Sequence, residues 1–153
     1  MNHNSEIFSD IFFDNKDSFI RKIKLININD KESIMDLLIY STQQNKEWAI
    51  LYLLDYGAPK NATLLGGSSL INYAAASGML DLIRYLISKG IDVNNIDEDG
   101  TTPLHNALVE QQYKVAKELV LKGANINLPS YGVTPAEYIK KNQLQDLIEI
   151  KHS

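Results

Sequence analysis

Apolar and polar positions along the chain follow a helical period that is interrupted at regular intervals. In "LDLIRYLISKG", Leu82, Ile83, Leu86 and Ile87 share one helical face. Thirty-three residues later "YKVAKELVLKG" repeats that face as Val115, Ala116, Leu119 and Val120. A shorter apolar segment precedes each, "SLINYAAASG" and "TPLHNALVEQ". Small side chains sit there at Ala74, Ala75 and Ala107, with Ser41 in an earlier copy, and allow neighbouring helices to approach closely. Each pair predicts two short helices. Gly57, Gly90 and Gly123 close the second helix of successive copies, each 33 residues after the last, where a left-handed cap is expected. Extended tags ending in asparagine follow, "APKN" at Asn61, "IDVN" at Asn94 and "ANIN" at Asn127, with an earlier "ININ" at Asn29.

A helix pair this short cannot bury its apolar face alone, whereas stacked copies share a continuous core. The pattern resembles the ankyrin repeat, whose signature is a 33-residue period carrying Thr-Pro-Leu-His-x-Ala. Thr102-Pro103-Leu104-His105-Asn106-Ala107 matches that signature letter for letter, and Asp97-x-x-Gly100 supplies its turn. The second copy keeps Gly67, Ser69, Ala74, Ala75, Gly78 and Gly90, but has Leu70-Ile71-Asn72 in place of Pro-Leu-His. The first has Leu37-Leu38-Ile39 there, and Asn45 replaces its mid-repeat glycine, a residue that tolerates the left-handed conformation. The last keeps Gly132, Thr134 and Pro135, with a hairpin one residue shorter, and turns polar at "KKNQLQ".

The resemblance covers about residues 30 to 150 and implies an all-α fold, an ankyrin-repeat solenoid of stacked helix-turn-helix units with short hairpin loops. Residues 1–30 are expected to form an N-terminal cap or half-repeat. Three repeats occupy 31–63, 64–96 and 97–128, and 129–153 form a C-terminal capping repeat.

Composition narrows the function classes. With 44% hydrophobic residues among 153, the chain can bury a core. A net charge of -4 speaks against nucleic acid, which demands clustered Lys and Arg. No cysteine is present, so disulfides, thiolate metal sites and cysteine nucleophiles are excluded. The N-terminus lacks a signal-peptide pattern, and the longest apolar run, "AILYLL", is too short to span a bilayer. A cytoplasmic location, with no membrane partner, is expected.

Candidate chemistry centres on "DEDGTTPLHNA", where His105 lies near Asp97 and Asp99. An acid–base pair of His105 with Asp99 requires both side chains to converge on one pocket. The resemblance implies another role. Pro103 starts a helix at a position that loses no hydrogen bond, the adjacent threonine caps it, and the histidine ties the hairpin backbone to its neighbours. His105 is therefore expected to be structural. His3 and His152 lie near the chain ends. "LGGSS" (65–69) lacks the lysine of a phosphate-binding loop and reads as a hairpin turn. Asp97, Glu98 and Asp99 lack EF-hand spacing and read as solvated. No catalytic residue, cofactor or metal site is expected.

Tyr40, Tyr73 and Tyr138 occupy one place on successive first helices, with Asn106 interrupting the column. They fit either semi-buried packing or the edge of a groove. Trp48 is expected to pack against the N-terminal segment.

The resemblance implies that the concave face, made of hairpin tips and first helices, binds another protein. By position the tips are Glu32 and Ser33, then Leu65, Gly66 and Ser68, then Glu98, Asp99 and Thr101, then Ser130 and Tyr131. The helix positions are Gln43 and Gln44, Ala76 and Ser77, Val109 and Glu110, and Lys141 and Asn142. Such a surface suits a partner with a basic rim and a modest apolar centre, such as a toxin or an enzyme. The expected function is a non-enzymatic binding module acting by occupation, in the manner of a bacterial immunity protein that blocks a toxin. An Asn-, Ile- and Lys-rich composition fits an AT-rich bacterial genome. The alternatives are an acidic metal-dependent enzyme and a purely structural spacer.

Overall fold

Five turns with the same backbone closure set the register of the fold. Asp14, Asn45, Gly78, Gln111 and Gln143 all take a positive φ, between 54° and 74°. After each, the next backbone N–H reaches back five residues. Asn15 donates to the Asp10 carbonyl (2.8 Å), Lys46 to Ser41 (2.9 Å) and Met79 to Ala74 (2.9 Å). Gln112 donates to Ala107 (2.7 Å) and Leu144 to Ile139 (2.9 Å). This is the helix-ending closure that a left-handed residue permits.

A computed structural model of the chain describes residues 3–27 and 29–149, with side chains from residue 5 onward. His152 and the His3 side chain lie outside the described residues. The closures separate helices into pairs: α1 (His3–Phe12) and α2 (Lys16–Ile23), α3 (Lys31–Gln43) and α4 (Glu47–Tyr56), α5 (Leu70–Ala76) and α6 (Leu80–Ser88), α7 (Pro103–Val109) and α8 (Tyr113–Leu121). In the last pair α9 (Pro135–Lys141) is followed by a single 3-10 turn, Gln145–Leu147. Extended structure among the described residues is limited to isolated bridges, Thr63 with Ser69 and Ser130 with Val133. The fold is all-α, as expected.

The chain divides after Lys60 into two compact units. In the N-terminal unit α1 packs on both α2 and α3, and α3 packs on α4. Ile7, Ile11, Phe19, Ile23, Leu37, Leu38, Ile50 and Leu53 are buried. Residues 3–23 thus contribute a complete helix pair. The first-helix position that holds small residues elsewhere (Ser41, Ala74 and Ala107) is here the buried Asp10, whose carboxylate pairs with Lys22 at 2.9 Å. Trp48 packs as expected. Its ring meets Phe19 edge-on at 5.2 Å, and its Nε1–H donates to Asp14 Oδ1 at 2.8 Å.

One expectation is corrected in this unit. Glu32 and Ser33 are not on a hairpin tip but in the first turn of α3, where the Ser33 N–H donates to the capping Asp30 carboxylate. At 13 residues α3 is six longer than α5, because its added turns replace the hairpin. The hairpin ahead of α5 needs Gly66 and Gly67 at φ of 87° and 81°. The sequence "KESI" offers no glycine, and its residues accept helix instead.

In the C-terminal unit α5 packs on α6 and α7, α7 on α8 and α9, and α6 on α8. Ala74, Ala75 and Ala107 are fully buried, as their small size suggested. On the second helices Leu82, Ile83 and Leu86 are buried, as are Val115, Ala116, Leu119 and Val120, while Ile87 is half-buried. Arg84 crosses from α6 to the Glu118 carboxylate on α8 at 3.0 Å. The asparagine tags also link repeats, since the Asn94 side chain accepts from the Asn125 N–H at 2.7 Å.

Gly90 has a φ of 87°, and no heavy atom lies within 4 Å of the place a Cβ would occupy. Gly90→Val therefore meets a backbone penalty without a clash. The variant is expected to lose about 1–2 kcal/mol in urea unfolding.

Candidate functional site

Thr102 and Pro103 begin α7 with Pro103 at its first position, and Thr134 and Pro135 do the same for α9. The Thr102 hydroxyl accepts from the His105 N–H, while His105 Nδ1 accepts from the Thr102 N–H (3.4 Å) and lies 2.8 Å from its hydroxyl oxygen. With Nδ1 accepting, Nε2 carries the proton and donates to the Val133 carbonyl at 3.3 Å. His105 thus ties its own helix to the next hairpin. Asp97 is occupied within its turn, where its carboxylate accepts from the Thr101 N–H and hydroxyl, both at 2.9 Å. Asp99 is exposed at the tip. His105 is a structural residue.

Burial holds the His105 imidazole below its ordinary pKa, opposed by its bonds to the Val133 and Leu128 carbonyls. A lowered folded pKa makes the neutral ring the stabilising form. That stability is fully present above the unfolded value of about 6.5 and is lost as pH falls through the folded value. The wild-type urea midpoint is expected to fall as pH drops from 7 towards 5, and His105→Gln is expected to flatten that slope.

Asn72 stands 33 residues before His105 and performs the corresponding task. It is fully buried, and its Nδ2 donates to the Thr101 carbonyl (2.8 Å) and to Asp97 Oδ2 (3.1 Å). Its Oδ1 accepts from the Ser69 hydroxyl at 2.8 Å. An amide thus makes the link to the following hairpin that the imidazole makes one repeat later.

These links hold the three hairpins of the C-terminal unit, and beside the last of them lies a groove of about 540 Å³. Leu108 forms its buried floor. Val109, Tyr131, Val133, Pro135 and Tyr138 form its walls, with Ala76, Thr101 and Glu110 along its edges. Val109 is 62% exposed, Val133 48% and Tyr131 82%. The hairpin turn carries Tyr131 at a φ of 47° and Gly132 at 78°, closed by paired bonds between Ser130 and Val133. Positive φ at both central residues is the geometry that Asn-Gly adopts readily and that a tyrosine adopts at a cost.

The expected surface residues divide by location. Six of them meet at the groove: Ala76, Thr101, Val109, Glu110, Ser130 and Tyr131. Ser130 requires a correction, for it is buried and its hydroxyl has no hydrogen-bond partner among the described residues. The shortened hairpin turns over two residues only, which puts Ser130 at a bridge position instead of the tip. Lys141 and Asn142 line an adjoining hollow with Val133, Glu137 and Tyr138. Leu65, Gly66, Glu98 and Asp99 are exposed, while Ser68 and Ser77 are half-buried, and none of these lines the groove. Glu98 lies over the previous hairpin, where a Cβ on Gly67 would come within 2.6 Å of its carboxylate. In the N-terminal unit Gln43 is exposed and Gln44 half-buried at the end of α3. Tyr40, Tyr73 and Tyr138 are all half-buried. Val133 and Pro135 were missed as groove residues; an exposed valine directly after a turn glycine is the available signal.

Among the described residues no group of three or more His, Cys, Asp or Glu is placed to hold a metal ion, and no helix is long and apolar enough to cross a membrane.

A family model described as ankyrin repeats, in three copies, matches residues 38–130. A putative ankyrin repeat protein of Rickettsia bellii is 34% identical over 117 residues, covering 74% of this chain and 65% of that protein. Ankyrin repeat and SOCS box protein 16 of Homo sapiens is 35% identical over 77 residues, covering 50% of this chain and 17% of its own length. RelA-associated inhibitor of Mus musculus is 35% identical over 82 residues, covering 52% and 10% respectively. The matched region is thus less than two thirds of each relative.

Proposed function

The chain belongs to the ankyrin-repeat family, whose members typically serve as non-enzymatic modules that bind other proteins, and from that premise we propose that its C-terminal unit binds a protein partner through the groove beside Tyr131. One observation carries this reading. A tyrosine occupies a positive-φ turn position that favours Asn or Gly, and it stands 82% exposed over an apolar floor. Exposed aromatic side chains at a preformed groove are characteristic of binding hot spots. Glu110 at the edge favours a partner that brings an apolar anchor next to a basic residue. The exposed Glu98 and Asp99 extend the negative charge along the hairpin tips.

We further propose that the protein acts by occupation, as an inhibitor without catalysis of its own. An immunity protein that blocks a bacterial toxin in the cytoplasm is the form we favour. The cysteine-free chain suits a reducing compartment, the relative from Rickettsia bellii aligns over 74% of the chain, and one relative bears the name of an inhibitor. The test is to capture the partner with tagged protein, establish the stoichiometry of the purified complex, and assay the partner during titration. A one-to-one complex that suppresses the partner's activity supports inhibition. An equally tight complex that leaves that activity intact overturns it.

A further inference from the structure

The turn at Asp14 brings a second surface into view, in the N-terminal unit. Because Asp14 occupies the left-handed position that Asn45, Gly78 and Gln111 hold in later repeats, Phe12 and Phe13 stand in the register of Gln43–Gln44, Ala76–Ser77 and Val109–Glu110. These are the first-helix end positions that bear the binding surface expected of each repeat. Here they are two phenylalanines, 53% and 74% exposed, packed edge-to-face at 5.0 Å. One turn earlier Phe8 packs on Tyr40 of α3, with ring centroids 4.7 Å apart, so the aromatic face of α1 continues onto α3. On α3 the exposed residues at helical spacing from Tyr40 are Glu32, Asp36 and Gln43, beside the buried Leu37. Neither Glu32 nor Asp36 has an ion-pair partner among the described residues. Lys22 and Lys46 in the same unit are paired, with Asp10 and Asp14.

We infer that the Phe12–Phe13 pair and the carboxylates of α3 form a docking surface for a basic, apolar segment of a protein, in which aliphatic side chains cover the phenyl rings and Arg or Lys meets Asp36 and Glu32. The inference rests on the family's role in protein binding, but it concerns different residues from the Tyr131 groove. Charge decides the occupant. A symmetric contact with a second copy would set these carboxylates against one another. A cationic segment meets them favourably and gains further attraction over the ring faces. Phe13, 74% exposed, contributes little to the fold, while Phe12, at 53%, keeps part of its ring buried, so a variant that spares the rings is needed beside one that removes them.

The test uses the full chain, isotopically labelled for NMR, with two synthetic peptides as probes: one of alternating arginine and leucine, the other with glutamate for each arginine. The arginine peptide is expected to shift the amides of Phe12, Phe13, Asp36 and Gln43, and the glutamate peptide to leave them in place. Phe12→Ser with Phe13→Ser is expected to weaken the arginine peptide at least tenfold. Glu32→Lys with Asp36→Lys, which keeps the rings, is expected to weaken it similarly and to admit the glutamate peptide, so the test survives if the first variant folds poorly. Equal binding of both peptides, unchanged affinity in both variants, or shifts confined to the surroundings of Tyr131 would overturn the inference. So would a dimer of the chain that the serine variant dissociates. Shifts confined to Tyr131 leave the groove reading standing, while failure of the captured partner to depend on Tyr131 counts against that reading alone.

Discussion

Asn72→Ala is expected to lower the unfolding free energy by about 3 kcal/mol. Its Nδ2 is the donor to the Thr101 carbonyl and to Asp97, and its Oδ1 is the acceptor for the Ser69 hydroxyl that caps α5. Alanine removes all of these while leaving the partners in place. The Thr101 carbonyl keeps the Asp97 N–H at 3.1 Å and Asp97 keeps the Thr101 N–H and hydroxyl at 2.9 Å, so the loss is that of the bonds themselves, about 1 kcal/mol for each. Water can relieve only part of this, because Asn72 is fully buried. Asn95 keeps its own bond to the Ser69 hydroxyl at 2.9 Å, which limits the loss at the cap. Urea unfolding monitored by circular dichroism measures the difference. A loss below about 1 kcal/mol would mean that the hairpin is held by its backbone alone and that the side-chain network adds little.

Asn72 also shows what could and could not be read from the chain. The period itself was legible because its punctuation is chemically restrictive. Gly57, Gly90 and Gly123 sit where a left-handed backbone is required, and Pro103 and Pro135 sit where a helix loses no donor. Asn72 stood in plain register with His105, yet its equivalence depended on a shared geometry: either side chain can donate to the carbonyl of the following hairpin. Residues 1–30 were obscure for a related reason. Their turn is made by Asp14, a residue that adopts the left-handed region without advertising it, and no glycine follows α2. The lost hairpin before α3 was equally hidden, since an alignment by period assigns a tip to Glu32 and Ser33 whatever the local backbone does.

The candidate site divides along the same line. Val109 and Tyr131 follow directly from repeat position. The groove that joins them depends on how the last hairpin is shortened: Ser130 is buried at the bridge, and Val133 after the turn glycine is 48% exposed along the groove. Repeat arithmetic carries no information on that point. The acidic residues Glu98 and Asp99 were prominent as a run of charge, but local contacts place Glu98 against the neighbouring hairpin instead of the groove. Sequence register predicts which residues are offered at a surface; turn geometry determines which of them meet.

Tyr131→Asn separates folding from binding, because its two expected effects have opposite signs. Asparagine tolerates the left-handed region better than tyrosine, and Asn-Gly is the preferred pair for a two-residue turn with positive φ at both positions. At 82% exposed, the tyrosine ring surrenders little buried area when removed. The variant is therefore expected to gain about 0.5 kcal/mol in unfolding free energy, through relief of backbone strain. Towards a partner seated in the groove the same substitution removes an aromatic anchor, a loss commonly of about 2 kcal/mol or more, which corresponds to a roughly 30-fold weaker complex. Val109→Asp, which places a charge on the groove lining, is expected to weaken binding as strongly while leaving the turn untouched. Calorimetric titration of the captured partner, run beside urea unfolding of each variant, reads both effects. If Tyr131→Asn destabilised the fold and left affinity unchanged, the tyrosine would be holding the hairpin in place, and the strained turn would no longer argue for a partner at this groove. Greater stability together with a weaker complex would show that the strain is retained for binding.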